Sequence, residues 1–267
     1  MAAAVDTPDT VQHGRSRAAL ELLGRPSGLL DYGCGSARFA STIAEQLGIP
    51  VYVCDISQEA IDRAQSTPGL HASLISEDAP QLPLESGQLG AVSSCDVMEH
   101  MDEAARRAAL AEIHRVLADD GVLVVTTPHK GLFSFADPEN LKFHAPRLHR
   151  LAFRALKGRE AYARRYVDAH LGGNYSGEAE RHQHFSAHDL DVMLKEAGFQ
   201  IEEVRYFGLI GPFAHIALWL AEALRRRTAL AQPLVRLCWA IYIRDSDFEC
   251  GRAASSIAVR ARKAARR

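Results

Sequence analysis

Residues 28–35 read Gly28-Leu29-Leu30-Asp31-Tyr32-Gly33-Cys34-Gly35, and this stretch decides the fold. A short apolar run meets a glycine turn, after which Phe39, Ile43 and Leu47 recur at helical spacing up to a stop at Gly48. The segment reads as strand, tight turn, helix. Val51-Tyr52-Val53-Cys54-Asp55 begins the pattern again as a second buried strand ending in an acid, and Ser57 can cap a helix carrying Ala60, Ile61 and Ala64. Further strands are expected at 70–75, 89–95 and 122–126, the last two separated by a helix at 103–117. This βα alternation predicts an α/β fold with a parallel sheet covered by helices.

The rhythm breaks after Thr127-Pro128. Residues 129–185 are rich in histidine, arginine and aromatics, contain the Gly172-Gly173 turn and show no clear strand, so they read as an inserted helical cap. A helix at 189–197 closed by Gly198, a strand at 199–207 and a final strand at 254–259 with a basic end complete the sheet. Between these two strands, 208–250 forms a second, apolar-and-basic helical insertion. The expectation is one domain over 1–267.

Composition bounds the function. With 267 residues, 47% of them hydrophobic, the chain can bury a large core, which excludes intrinsic disorder. The net charge of −2 divides into +6 over residues 201–267 and −8 before them. Without a basic motif this excess does not point to nucleic acid, though it suits an anionic membrane surface. Five widely spaced cysteines, odd in number, speak against a disulfide framework or zinc ribbon. The N-terminal residues lack the pattern of a secretory signal, and no apolar run of about 18 residues is present. A cytoplasmic protein is expected.

A glycine turn between the first strand and helix lets a ligand approach the backbone. Arg38 occupies the place of the third glycine of a dinucleotide fingerprint, which argues against a nicotinamide-dependent dehydrogenase. Asp31 would repel a pyrophosphate and attract the ammonium of an amino acid. Asp55, at the end of the second strand, is placed to accept hydrogen bonds from ribose hydroxyls. Asp78 is placed to accept from an adenine amino group, with Ala79 supplying a backbone N–H. Amino acid, ribose and adenine together describe S-adenosylmethionine.

Residues 29–35, Asp55, Glu77-Asp78-Ala79 with Leu82-Pro83, Asp96-Val97-Met98-Glu99-His100, and His114-Arg115-Val116-Leu117 before Gly121 resemble class I S-adenosylmethionine-dependent methyltransferases. The look is nearest to the broad group related to ubiquinone and menaquinone biosynthesis methyltransferases. It spans about residues 25–128 and resumes from His184-Phe185-Ser186 to Gly198-Phe199. The resemblance implies a Rossmann-like seven-stranded sheet, mostly parallel with an antiparallel last strand. It also implies a cofactor site made of Asp31, Gly33, Gly35, Asp55, Ile56, Asp78, Ala79 and Cys95. Leu89-Gly90 and Asp119-Asp120-Gly121 depart from the family pattern at structural turns.

In this fold the segment after the fourth strand borders the transferred methyl group. Here it is not the Asn/Asp-Pro-Pro-Tyr/Phe type of many amino-nitrogen methyltransferases, so oxygen or carbon acceptors are favoured. His100 is the candidate general base, because imidazole titrates near neutral pH, and His129 is a second. The resemblance offers a divalent-metal reading of Asp96, Glu99 and His100, and His182, His184 and His188 suggest another. One loop seldom completes a coordination shell and Ser186 reads as a helix cap, so no metal is assigned. The 208–250 helices read as a lid over the active site or as a peripheral membrane contact. Either suits a small or lipid-like acceptor. The rival of another class is a catalytically silent cofactor-binding or membrane-docking protein.

Overall fold

A computed structural model describes residues 13–137, 140, 145–166, 183–226 and 228–264. The sheet has seven strands: β1 Leu29–Tyr32, β2 Val51–Asp55, β3 Leu70–Leu74, β4 Leu89–Cys95, β5 Leu117–Pro128, β6 Phe199–Phe207 and β7 Ser256–Lys263. Their order is β3-β2-β1-β4-β5-β7-β6. β1 to β5 pair in parallel, whereas β7 runs antiparallel to both β5 and β6. This is the mostly parallel sheet with an antiparallel last strand that the sequence predicts.

The helices among the described residues are α1 Gly14–Leu23, α2 Arg38–Leu47, α3 Gln58–Gln65, α4 Glu103–Val116, α5 Pro146–Lys157, α6 Arg159–Tyr166, α7 Ala187–Glu196, α8 Gly211–Arg225 and α9 Gln232–Ser246. All four β1 residues are buried, as expected of a central strand covered on both faces. Leu30 packs in a core with Leu110, Ile113, Leu190 and Phe199, and Leu29 in the opposite core with Leu22, Ile43, Val51 and Val124. Alternation along one short strand therefore joins the two halves of the interior.

Three elements depart from the sequence expectation. α1 is an addition whose short stripe of Ala18, Ala19, Leu22 and Leu23 is buried against the sheet. β5 begins at Leu117, immediately after α4, because Leu117 pairs with Leu89 beyond a register shift. β7 starts at Ser256 and continues to Lys263, past the expected end at Val259. Its basic end tolerates this interior position because Glu202 on β6 binds Arg260 at 3.1 Å and Arg262 at 2.8 Å.

The 129–185 region contains α5 and α6. Its Gly172-Gly173 turn and His182 lie outside the described residues. In the 208–250 region α8 and α9 pack on each other through Leu218, Ala221, Val235 and Cys238. No helix among the described residues is long and apolar enough to cross a membrane.

Candidate active site

The strand order reverses direction between β1 and β4, so a crevice opens at their carboxyl ends, where ligands bind in open α/β sheets. The glycine turn leaves β1 there and the 96–100 segment leaves β4. Two cavities flank this point. One, about 750 Å³, is lined by Tyr32, Gly33, Gly35, Asp55, Ile56 and Glu77 among others. The other, about 470 Å³, lies between the 96–100 segment, α1 and the α8–α9 pair. Asp96 and His100 line both, forming the shared wall.

The larger cavity is built by the glycine turn. Gly33 N–H and Cys34 N–H donate to the Cys54 carbonyl at 2.8 and 3.0 Å, and Gly35 N–H donates to Asp55 Oδ2 at 2.9 Å. These donors are occupied within the protein, so the turn is not a nest of free N–H groups awaiting phosphate. Gly33 has φ +81°, and a Cβ there would fall 2.4 Å from Val97 Cγ2, so the two loops touch only because the side chain is absent. Gly35, at φ +48°, faces open space.

Asp55 has a second duty that its sequence position did not announce. Its Oδ1 accepts from Ser57 N–H at 2.9 Å, so one carboxylate ties the glycine turn to the start of α3 while lining the cavity. Ser57 itself caps α3 by accepting from Ala60 N–H. Asp31 is buried at the end of β1 and accepts from Ser93 Oγ at 2.9 Å. Burial pushes its carboxyl up to about 6, opposed by the Ser93 hydrogen bond and helped by Asp55.

Of the remaining expected cofactor residues, Ile56 lines the larger cavity, and Cys95 is half-buried at the end of β4. Asp78 and Ala79 are exposed and are not among its lining residues, whereas Ser76 and Glu77 are. The loop after β3 thus presents the earlier acid of the Glu77-Asp78 pair to the cleft.

Asp96 adopts φ +58°, an uncommon conformation for a residue other than glycine, and forms a 2.8 Å ion pair with Arg15. Burial opposes the Arg15 charge, but the adjacent Asp96 carboxylate offsets it and keeps the guanidinium protonated. Glu99 is fully buried. Burial and the Asp96 charge push its carboxyl well above the usual range, and Thr127 Oγ1 donates to it at 3.3 Å. His100 follows on a short 3-10 turn spanning Met98–His100.

The smaller cavity collects other imidazoles. His129 Nδ1 lies 2.9 Å from the Ala254 carbonyl, so that nitrogen carries the proton and Nε2 is the basic one. Burial lowers the His129 pKa and keeps the ring neutral. His184 Nε2 lies 3.0 Å from Asp137 Oδ2. Pro212, Leu218 and Trp239 supply apolar wall. Among the described residues no group of three or more His, Cys, Asp or Glu side chains is arranged to hold a metal ion. The sequence reading missed Arg15 and Asp137. Neither belongs to a motif, and each meets its partner only through the tertiary fold.

The sheet order, the switch-point cleft and the acid ending β2 define the class I S-adenosylmethionine-dependent methyltransferase fold. Residues 29–121 match the methyltransferase domain family model. The match does not single out the ubiquinone and menaquinone group. An O-methyltransferase from Pyrenophora dematioidea is 31% identical over 122 residues, 41% of this chain and 44% of that protein. The chain therefore spans less than half the length of this curated relative. The Burkholderia thailandensis 1,6-didemethyltoxoflavin N1-methyltransferase, solved with that compound and S-adenosylhomocysteine bound, is similar at TM-score 0.50 and 15% identity, covering 93% of this chain and 77% of that one. The cyclase SpnF is similar at TM-score 0.53 and 18% identity, covering 93% and 80%. A shared sheet thus does not by itself specify the reaction.

Proposed function

We propose that the protein transfers a methyl group from S-adenosylmethionine to oxygen or carbon of a small acceptor with an apolar body. The observation that carries this reading is the pair of cavities meeting at Asp96 and His100. The larger one falls within the roughly 300–1,000 Å³ of small-molecule sites and is bordered by Gly35, Asp55, Ile56 and Glu77, while Asp31 is buried next to the lining residue Tyr32 and is not itself part of the lining. Buried Asp31 would balance the ammonium, Asp55 would accept from the ribose hydroxyls, and Gly35 leaves room for close approach. Ile56 would cover one face of the adenine. Asp78 and Ala79 were the expected partners of its polar edge, and Glu77 is the acid beside that cavity. When bound, the cofactor supplies an electrophilic methyl group.

The chain's own residues then position the acceptor in the smaller cavity and handle its proton. His100, on the shared wall, would take the proton of an attacking hydroxyl. His129, held as the Nδ1–H tautomer, offers a second basic nitrogen deeper in the cavity. Pro212, Leu218 and Trp239 would hold the apolar body, which supports a quinone-like, polyketide-like or lipid-like acceptor.

Calorimetric titration with S-adenosylhomocysteine, followed by radiolabelled methyl transfer into a metabolite extract, tests the proposal. Asp55→Ala is expected to weaken the titration by about 1 to 3 kcal/mol, the scale of hydrogen bonds to a charged group. A folded protein that binds neither the cofactor nor its demethylated product would overturn it. Tight binding without turnover would favour a silent or non-methylating member of the fold.

A further inference from the structure

The α8–α9 pair has two faces. Its inner face contributes His215 and Leu218 from α8 and Trp239 and Tyr242 from α9 to the smaller cavity. Its outer face is apolar and exposed to water. On α8, Phe213, Ile216, Leu220 and Leu224 are exposed at helical spacing, and Leu234, Leu237 and Ile241 repeat the pattern on α9. α5 lies beside α8, with Phe153 against Trp219 at 5.9 Å between ring centres, and adds exposed Leu148 and Leu151. These three helices hold nine of the 17 large apolar side chains exposed among the described residues. A monomer seldom leaves so much apolar surface concentrated in water.

The charge around this surface indicates what covers it. α5 carries Arg147, Arg150, Arg154 and Lys157 and no acid. Arg236 and Arg244 are exposed on α9. The five arginines of these two helices make no ion pair among the described residues. The acids of α8 and α9 serve internal contacts. Glu222 binds Arg225 at 3.0 Å, and Asp245 Oδ1 accepts from the Leu209 and Ile210 N–H groups, each at 3.0 Å.

We propose that the outer face of α5, α8 and α9 docks on the headgroup region of an anionic phospholipid bilayer. Apolar stripes edged by arginine, on helices too short to span, are the makeup of helices that lie in a membrane interface. A second copy of the chain fits less well, because a two-fold contact through this face would set arginine against arginine.

Co-sedimentation of the full chain with phosphatidylcholine vesicles, with and without phosphatidylglycerol, tests this in the absence of cofactor and acceptor. Its result is therefore separate from the methyl-transfer reading. The protein is expected to pellet with the phosphatidylglycerol vesicles and to be released by salt. Combined Arg147→Gln, Arg150→Gln and Arg154→Gln substitution is expected to weaken partitioning about tenfold or more, with the far-UV circular dichroism spectrum unchanged. Leu151→Ser and Leu220→Ser, each alone, are expected to weaken it through the apolar surface and serve should the triple variant misfold. Failure to pellet with phosphatidylglycerol vesicles, or equal partitioning of folded variants and parent, would overturn the proposal. So would a concentration-dependent dimer in sedimentation velocity that Leu220→Ser dissolves.

Discussion

Asp31 places a buried carboxylate beside Ser93 of the neighbouring strand, and burial there sets its proton affinity. Burial raises the folded-state pKa to about 6 from the ordinary 3.8. The native protein therefore holds an extra proton on this group between these values, so its contribution to stability is fully present below about 3.8 and is lost as pH rises through about 6. Asp31→Asn keeps an oxygen for Ser93 and removes the charge. We expect it to stabilise the cofactor-free protein by of order 2 kcal/mol at pH 8, and to flatten the slope between pH 4 and 7. If the charge meets the cofactor ammonium as proposed, the substitution should also weaken S-adenosylhomocysteine binding. Urea midpoints across pH, measured with and without ligand, decide it, and parallel slopes in the two proteins would remove this role. For His100→Gln the expectation differs. Turnover of a hydroxyl acceptor should fall about a hundredfold or more while cofactor affinity is retained, and an unchanged kcat would assign the base elsewhere, with His129 next in line.

At the scale of elements, local side chains fix where helices begin and how loops attach. Ser186 accepts from Asp189 N–H at 3.1 Å while Ser186 N–H donates to Asp189 Oδ2 at 2.7 Å, a reciprocal cap that starts α7. Burial opposes the Asp189 charge, yet Ser186 and Lys130 hold its pKa at about 2, so the carboxylate stays available to the cap well into acid. Ser186→Ala is expected to cost about 1 kcal/mol of stability, read from denaturant midpoints. No change would mean the flanking packing alone sets the helix start. The Arg115 of the His114-Arg115-Val116-Leu117 motif has a comparable structural task. It donates to the carbonyls of Leu84 at 2.8 Å and Leu82 at 3.2 Å, and its partner Glu112 accepts from Leu82 N–H at 2.7 Å. This fork from α4 clamps the 82–84 loop, a geometry that lysine could not reproduce.

Across the whole molecule, residues 234 positions apart meet beside the smaller cavity. Asp247, capping α9, accepts from His13 Nδ1 and Gly14 N–H at 2.8 and 2.7 Å. Gly14 has φ +53° and would place a Cβ 2.8 Å from Ser246, so α1 fits against α9 only with glycine there. α1 also carries Arg15 to Asp96, and the second insertion is thereby coupled to the wall between the cavities. Burial opposes ionisation of Asp247, but the Gly14 and His13 hydrogen bonds hold its pKa below the ordinary value. The latch thus strengthens above the ordinary carboxylate range and is lost on acidification. Asp247→Ala is expected to speed amide exchange in the first turn of α1 and to weaken acceptor binding, leaving cofactor affinity intact. Exchange rates identical to the parent would show that α1 is held by its sheet contacts alone.

What could be read directly is local. The apolar run of β1, the positive-φ glycines after it, the acid ending β2 and the Ser186 cap each depend on neighbours within a few residues, where spacing and chemistry suffice. They carried the βα alternation and placed Gly33, Gly35 and Asp55, which line the larger cavity. The parts that escaped depend on residues far apart along the chain. α1 has too short an apolar stripe to announce itself, the basic end of β7 is met by Glu202 of β6, and Arg15 gains its partner across 81 positions. Asp31 is readable as an acid at a strand end, but its raised pKa exists only because the packed fold removes water from it. Sequence by itself determined the class of fold and the glycine turn and acid that end its first two strands, since both follow from short-range pattern. Tertiary structure alone decided that two cavities share one wall, and that the insertion over them is lined on one side and bare on the other, because burial and charge pairing are properties of surfaces the folded chain brings together.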